Sequence, residues 1–100
     1  MSASFGSFRE FYPFYLSQHV HPLCRRLHFV GTSLVIALFV AVLLTRLWWL
    51  LLLLPLAGYG FAWVGHFFFE KNRPATFTNP VYSLAGDFVM WWDMVRGRVR

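Results

Sequence analysis

The chain has 100 residues, of which 58% are hydrophobic, 21% aromatic and only 13% charged. Soluble globular domains carry about 25% charged residues, and so short a chain allows one domain at most. Residues 1–100 therefore read as a single integral membrane domain. The net charge of +5 does not argue for a nucleic-acid partner, because eight of the nine basic residues flank an apolar block instead of forming a polar helix or basic tail.

Residues 4–18 carry aromatics at Phe5, Phe8, Tyr12 and Tyr15, three and four apart, as on one face of a helix. Such a face predicts an amphipathic helix lying in the membrane interface, with a break near Tyr12 imposed by Pro13. Residues 19–25 form a connector, with Pro22 the expected start of the next helix. From Arg26 to Leu44 the sequence is almost wholly apolar and would span roughly 28 Å, close to the ~30 Å hydrocarbon core. Thr45 and Arg46 mark a turn, and residues 47–69 are again long enough to cross. One helix over 26–69 would be about 66 Å long, so a helical hairpin is expected.

Pro55, Gly58 and Gly60 should loosen the second helix near its middle. Small residues form one stripe at Ser33, Ala37 and Ala41 and another at Gly58, Ala62 and Gly65. Stripes of this kind suit close helix packing or a homo-oligomer interface. Asn72–Asn79 reads as a loop, and Asn79-Pro80 as the start of a last helix over 80–96, too short and too charged to span. The predicted fold class is all-α: a two-helix transmembrane hairpin flanked by N- and C-terminal interfacial helices.

Arg9, Arg25, Arg26, Lys71, Arg73, Arg96, Arg98 and Arg100 fall at one end of the hairpin, and Arg46 alone at the other. The positive-inside rule puts both termini on the cytoplasmic side. No cleavable signal peptide is visible, so the membrane segments are expected to direct their own insertion. The single cysteine, Cys24, excludes an intramolecular disulfide.

With the turn centred near Arg46, His28 and His66 lie within about 3 Å of the same depth on adjacent antiparallel helices. His19 sits in the connector at that face. Ionisable groups at membrane depth point to function, and imidazole is the commonest protein metal ligand. Glu70 follows His66 by four residues, the spacing that stacks two side chains on one helix face. Three histidines with a nearby carboxylate suit non-haem Fe(II), which takes nitrogen and oxygen donors and needs open positions. Asp87 is a further catalytic candidate on the last helix. Each residue also has a plain reading: His66 as a cap or headgroup contact, His28 as a structural residue, Glu70 as a solvent ion pair with Lys71 or Arg73.

Tyr15-Leu-Ser-Gln-His19, Arg-Arg-Leu-His28-Phe-Val-Gly31-Thr32 and Gly65-His66-Phe-Phe-Phe-Glu70-Lys-Asn-Arg-Pro74-Ala75 together resemble the Fe(II)-dependent 2-hydroxy fatty acid dioxygenases of fatty-acid alpha-oxidation, in a compact bacterial-type form. The resemblance runs over roughly residues 8–97. It implies an enzyme that shortens a 2-hydroxy fatty acid by one carbon with O2 and ferrous iron, without 2-oxoglutarate. His19, His28 and His66 fall on the family's metal-binding histidines. Cys24 stands four before His28, where the family usually has asparagine, so an outer hydrogen bond is expected to be lost. Glu70 would be a ligand or an outer partner of one. Arg25, Arg26 and Arg73, with Tyr15, are the substrate-binding candidates at the interface, where membrane lipid would hold the acyl tail. Two other classes stay open on the residues alone: a haem-binding electron-transfer protein using His28 and His66, and a non-catalytic scaffold or transporter subunit.

Overall fold

The computed structural model describes residues 5–74 and 77–99; Ser4, which opened the expected first segment, and Ala75 and Arg100 lie outside them. Among the described residues the chain is helical and has no strand. Helix α1 covers Phe8–Ser17 and α2 covers Pro22–Thr45. A 3₁₀ turn, Trp48–Leu52, leads into α3, Leu53–Val64, which continues as a π-helical segment, Gly65–Glu70. Helix α4 covers Pro80–Val95. The stretches Pro22–Thr45 and Trp48–Glu70 are each long and apolar enough to cross a membrane.

Local chemistry sets the element ends. Ser7 caps α1, its hydroxyl accepting from the Glu10 N–H at 3.3 Å, while the Glu10 carboxylate accepts from the Gly6 N–H at 3.1 Å. This is close to a capping box. It starts α1 early enough for the helix to run through Pro13, so the expected break near Tyr12 does not occur. Proline forfeits one helical hydrogen bond there, and the burial of Phe11 and Tyr15 on either side offsets the loss. In α2, Pro22 occupies the first turn and the His21 ring caps it, accepting from the Leu23 N–H at 3.1 Å. The helix thus begins at Pro22, as its place at a first helical position predicts, and the apolar span from Arg26 continues it.

Pro55 does not loosen a helix middle either. It lies in the first turn of α3, where a missing N–H costs nothing, and the 3₁₀ turn precedes it. Helices α2 and α3 approach closely at Gly31, where an added Cβ would stand 2.9 Å from the Ala57 carbonyl oxygen. The Ser33 stripe is not that seam. Ser33 instead faces α4, its hydroxyl accepting from Trp91 Nε1 at 2.8 Å, with the Trp91 ring stacked on Phe29.

The aromatic face of α1 is spent on α4 rather than left for lipid. Phe11, Tyr15 and Met90 form a fully buried cluster, with Phe8, Tyr82 and Met94 around it. Tyr12 Oη donates to Asp93 Oδ2 at 2.7 Å, and Tyr15 Oη donates to Asp87 Oδ1. Asp93 also accepts from the Arg96 guanidinium at 2.7 Å. Two tyrosines of α1 therefore clip onto two carboxylates of α4. This clamp holds the end of α1, and with it the connector, over the base of the hairpin.

Candidate metal centre

His19 lies just past the end of α1, His28 two turns into α2, and His66 at the start of the π-helical segment. All three are buried, at 1%, 4% and 1% exposure. Their ring nitrogens converge: His19 Nε2 lies 3.1 Å from His28 Nε2 and 2.8 Å from His66 Nε2. One donor atom from each falls within 4.8 Å of the others.

The outward nitrogens decide what the inward ones present. His19 Nδ1 lies 2.6 Å from the Tyr15 carbonyl oxygen, and His28 Nδ1 lies 2.8 Å from the Cys24 carbonyl oxygen. A carbonyl can only accept, so both Nδ1 atoms carry the proton. His66 Nδ1 lies 2.7 Å from Asn72 Oδ1. The Asn72 amide is oriented by its Nδ2, which donates to the Gln18 carbonyl and to Gln18 Oε1, each at 3.2 Å. The His66 Nδ1 is therefore also a donor. The Nε2 lone pair of His19 then faces those of His28 and His66 with no proton between them. Burial, followed by the neighbouring His28 and His66 rings, pushes His19 down to about 2, so protonation does not relieve the contact.

Three converging buried acceptors are unfavourable unless a cation lies among them. Neutral imidazoles, each donating its second N–H to a fixed oxygen, are the usual state of metal-binding histidines. The spacing also discriminates. Metal–nitrogen bonds of about 2.0–2.1 Å would separate donors by about 2.9 Å at right angles and about 3.3 Å in a tetrahedron. The two distances bracket the first value. The residues fit a divalent metal held by three imidazoles.

Other candidates fall around this triad. Glu70 Oε2 accepts from the His21 N–H at 2.6 Å, with the Cys24 side chain beside it. It pins the connector to the end of the π-helical segment and is not among the converging donors. Tyr15 is fully buried, and its ring stacks on His19 with centroids 4.0 Å apart. Asp87, half-buried, receives the Tyr15 hydroxyl and lines a cavity that begins at His28. Burial raises its carboxyl to about 6, against the lowering effect of the Tyr15 bond. Arg25 does not line that cavity, but its Nε donates to the His19 carbonyl, next to the triad. Arg26 and Arg73 are exposed and line no part of that cavity. The outer bond to His28 does not depend on an asparagine at position 24, since the Cys24 backbone carbonyl supplies it.

Asn72 was read only as part of a loop. Its placement depends on Lys71, which takes a left-handed conformation, φ 60°, and turns the chain back so that the Asn72 N–H reaches the His66 carbonyl at 3.0 Å. A carboxamide six residues after a candidate ligand was the available signal. Asn72→Leu is expected to weaken metal binding by about 10–100-fold, as losing an outer partner does. Asn72→Asp, which keeps an acceptor, should recover part of that loss. Competition with a chelator measures both, and equal affinity for Asn72→Leu would remove Asn72 from the site.

Gly86 backs the same assembly from α4. A Cβ there would stand 2.8–3.1 Å from three carbons of the Tyr15 ring. Gly86→Ala is expected to destabilise the protein by about 1–3 kcal/mol through overpacking and to weaken metal retention by displacing Tyr15. Gly60→Ala meets nothing within 4 Å and should instead gain about 1 kcal/mol from helix propensity. Thermal unfolding of the two variants in detergent should move in opposite directions.

A family model described as 2-hydroxy-palmitic acid dioxygenase Mpo1-like matches residues 5–99. No curated protein and no solved structure matches the chain. The three-histidine centre lies inside the matched stretch and has the donor chemistry that a metal-dependent oxygenase needs. From residue 5 to residue 99, the chain belongs to the Mpo1-like family.

Proposed function

We propose that the protein is a membrane-embedded, iron-dependent dioxygenase that shortens 2-hydroxy fatty acids, or a related 2-hydroxy acyl lipid, by one carbon. The observation that carries this reading is the convergence of three histidine Nε2 atoms in a buried site, each ring's Nδ1 facing an oxygen acceptor. His19, His28 and His66 would hold the metal. Ferrous iron there would supply the redox centre at which O2 and the 2-hydroxy acid meet. The Tyr15 carbonyl, the Cys24 carbonyl and Asn72 keep each imidazole in the tautomer that binds. Asp87, lining the cavity with His28 and ionised above about pH 6, is suited to take the proton of the substrate hydroxyl. Tyr15 positions that carboxylate by donating to it. Arg25, bonded to the His19 carbonyl beside the triad, would supply positive charge for the substrate carboxylate.

The haem reading loses ground on distance. His19 Nε2 stands about 3 Å from both of the nitrogens that would be axial ligands. It occupies the place a macrocycle would need between them. Protein purified without oxygen should carry stoichiometric iron and show no Soret band. It should consume O2 with a 2-hydroxy fatty acid and not with the unhydroxylated acid. An iron-loaded sample indifferent to both acids would overturn the reading.

The basic ends and both termini are assigned to the cytoplasmic side. Cys24 cannot report this, because it is fully buried. Cysteine introduced at the exposed positions Ser7 or Arg98 should react with an impermeant maleimide from the cytoplasmic side, and at Thr45 only from the other side. The opposite pattern would invert the topology.

A further inference from the structure

A cavity of about 300 Å³ opens between α2, α3 and α4. Its α2 wall is His28, Thr32 and Val35, four and three residues apart and so on one helix face. His28 and Asp87 line it beside the triad, Thr32 and Tyr59 add hydroxyls, and the rest of the lining is apolar, with Leu54 and Pro55 from α3. A second apolar recess of about 280 Å³ continues along α2 toward Val40, and it shares Val35 and Phe88 with the first. Along α2, His28 to Val35 covers about 10 Å and His28 to Val40 about 18 Å.

We propose that this cavity receives the hydrocarbon tail of a single-chain 2-hydroxy acid, and that Val35 and Phe88, standing between cavity and recess, set the chain length accepted. The proposal rests on the dioxygenase reading for the identity of the head group. Its physical basis is the joining of polar groups beside the histidines to one narrow apolar slot. The cavity is at the small end of ligand sites. It is also thin: a Cβ at Gly58 would stand 3.4 Å from Val35 Cγ2, and both residues line it. One chain fits such a slot, and the paired chains of a phospholipid do not.

Length discrimination has to come from shape. A tail arriving from lipid leaves surroundings as apolar as the ones it enters, so added methylenes gain little by burial. A chain that reaches Val35 and Phe88 either stops there or must displace a ring to enter the recess. A bulkier residue at Val35 should therefore shorten the preferred chain, and removing the Phe88 ring should lengthen it.

The test is a kcat/KM profile over 2-hydroxy acids of increasing length, with iron-loaded protein in detergent. Val35→Phe should lower the long-to-short ratio at least tenfold, and Phe88→Ala should raise it by a similar factor. Leu52→Phe, on the exposed surface, should leave the profile unmoved. A second measurement does not need turnover: a 2-hydroxy acid with a photoreactive group at its tail end, mapped by mass spectrometry. Labels should fall at Val35 and Leu54 for shorter chains and at Phe39 or Val40 for longer ones. In Val35→Phe they should retreat toward His28. Unchanged profiles in both variants, or labels scattered over exposed leucines such as Leu43, would overturn the proposal while leaving the dioxygenase reading intact. Labelling of the cavity without turnover of any 2-hydroxy acid would sink the dioxygenase reading and keep the tail site.

Discussion

His66→Ala is expected to strip the metal from the purified protein and lower oxygen consumption by more than about 100-fold, beyond the effect of losing an outer partner. The imidazole closes one side of the triad, 2.8 Å from His19 Nε2, and Asn72 holds it in the binding tautomer. Alanine leaves two donors, too few to hold a divalent ion against water or chelator. Phe68→Ala is the appropriate control, because Phe68 lies on the same π-helical segment with 70% exposure. It should retain metal and activity. His66→Ala with undiminished iron and turnover would remove the triad from the chemistry.

The second large effect is expected at Asp87, with opposite signs for stability and activity. Burial lifts its carboxyl to about 6, above the value in an unfolded chain. A group whose folded value is raised contributes stability that is fully present at acid pH and lost as pH rises through about 6. At neutral pH the ionised carboxylate therefore costs the folded state something, at most about 3 kcal/mol. Asp87→Asn removes the charge and keeps an oxygen for the Tyr15 hydroxyl. The variant should be more stable than the native protein at pH 8 and about equally stable near pH 4.

Turnover should move the other way. A general base contributes about 10²–10⁴-fold, so Asp87→Asn should lose activity on that scale while retaining iron. The native protein should show an acid limb near pH 6, and the variant should not. Full activity in Asp87→Asn, with the gain in stability, would make Asp87 a strained packing residue and nothing more.

Much of this arrangement follows from residue order because helical rise is constant. Counting back from Arg46 puts His28 opposite His66 without any knowledge of packing. The apolar runs either side of Arg46 are each one membrane thickness long, which makes a hairpin the economical reading. Gly65-His66 through Pro74, with His19 and His28 upstream, carried the family resemblance. These features are local or set by length alone.

What the residue order could not settle was which side chains meet across elements. The i,i+4 spacing of His66 and Glu70 suggested a shared target, yet Glu70 turns to the His21 N–H, and the partner of His66 is Asn72. That exchange depends on one left-handed residue, Lys71, and on a π-helical segment, neither of which a hydrophobic period reveals. The aromatics of α1 were assigned to lipid because periodicity identifies an apolar face and not its occupant; packing on α4 decided that. The slot beside His28 exists only where α2, α3 and α4 come together. Composition, helical rise and the positions of the histidines were determined by the sequence itself. The protonation pattern that makes three imidazoles into a binding site was decided by tertiary structure, because it depends on oxygens brought to each ring by the folded backbone and by Asn72.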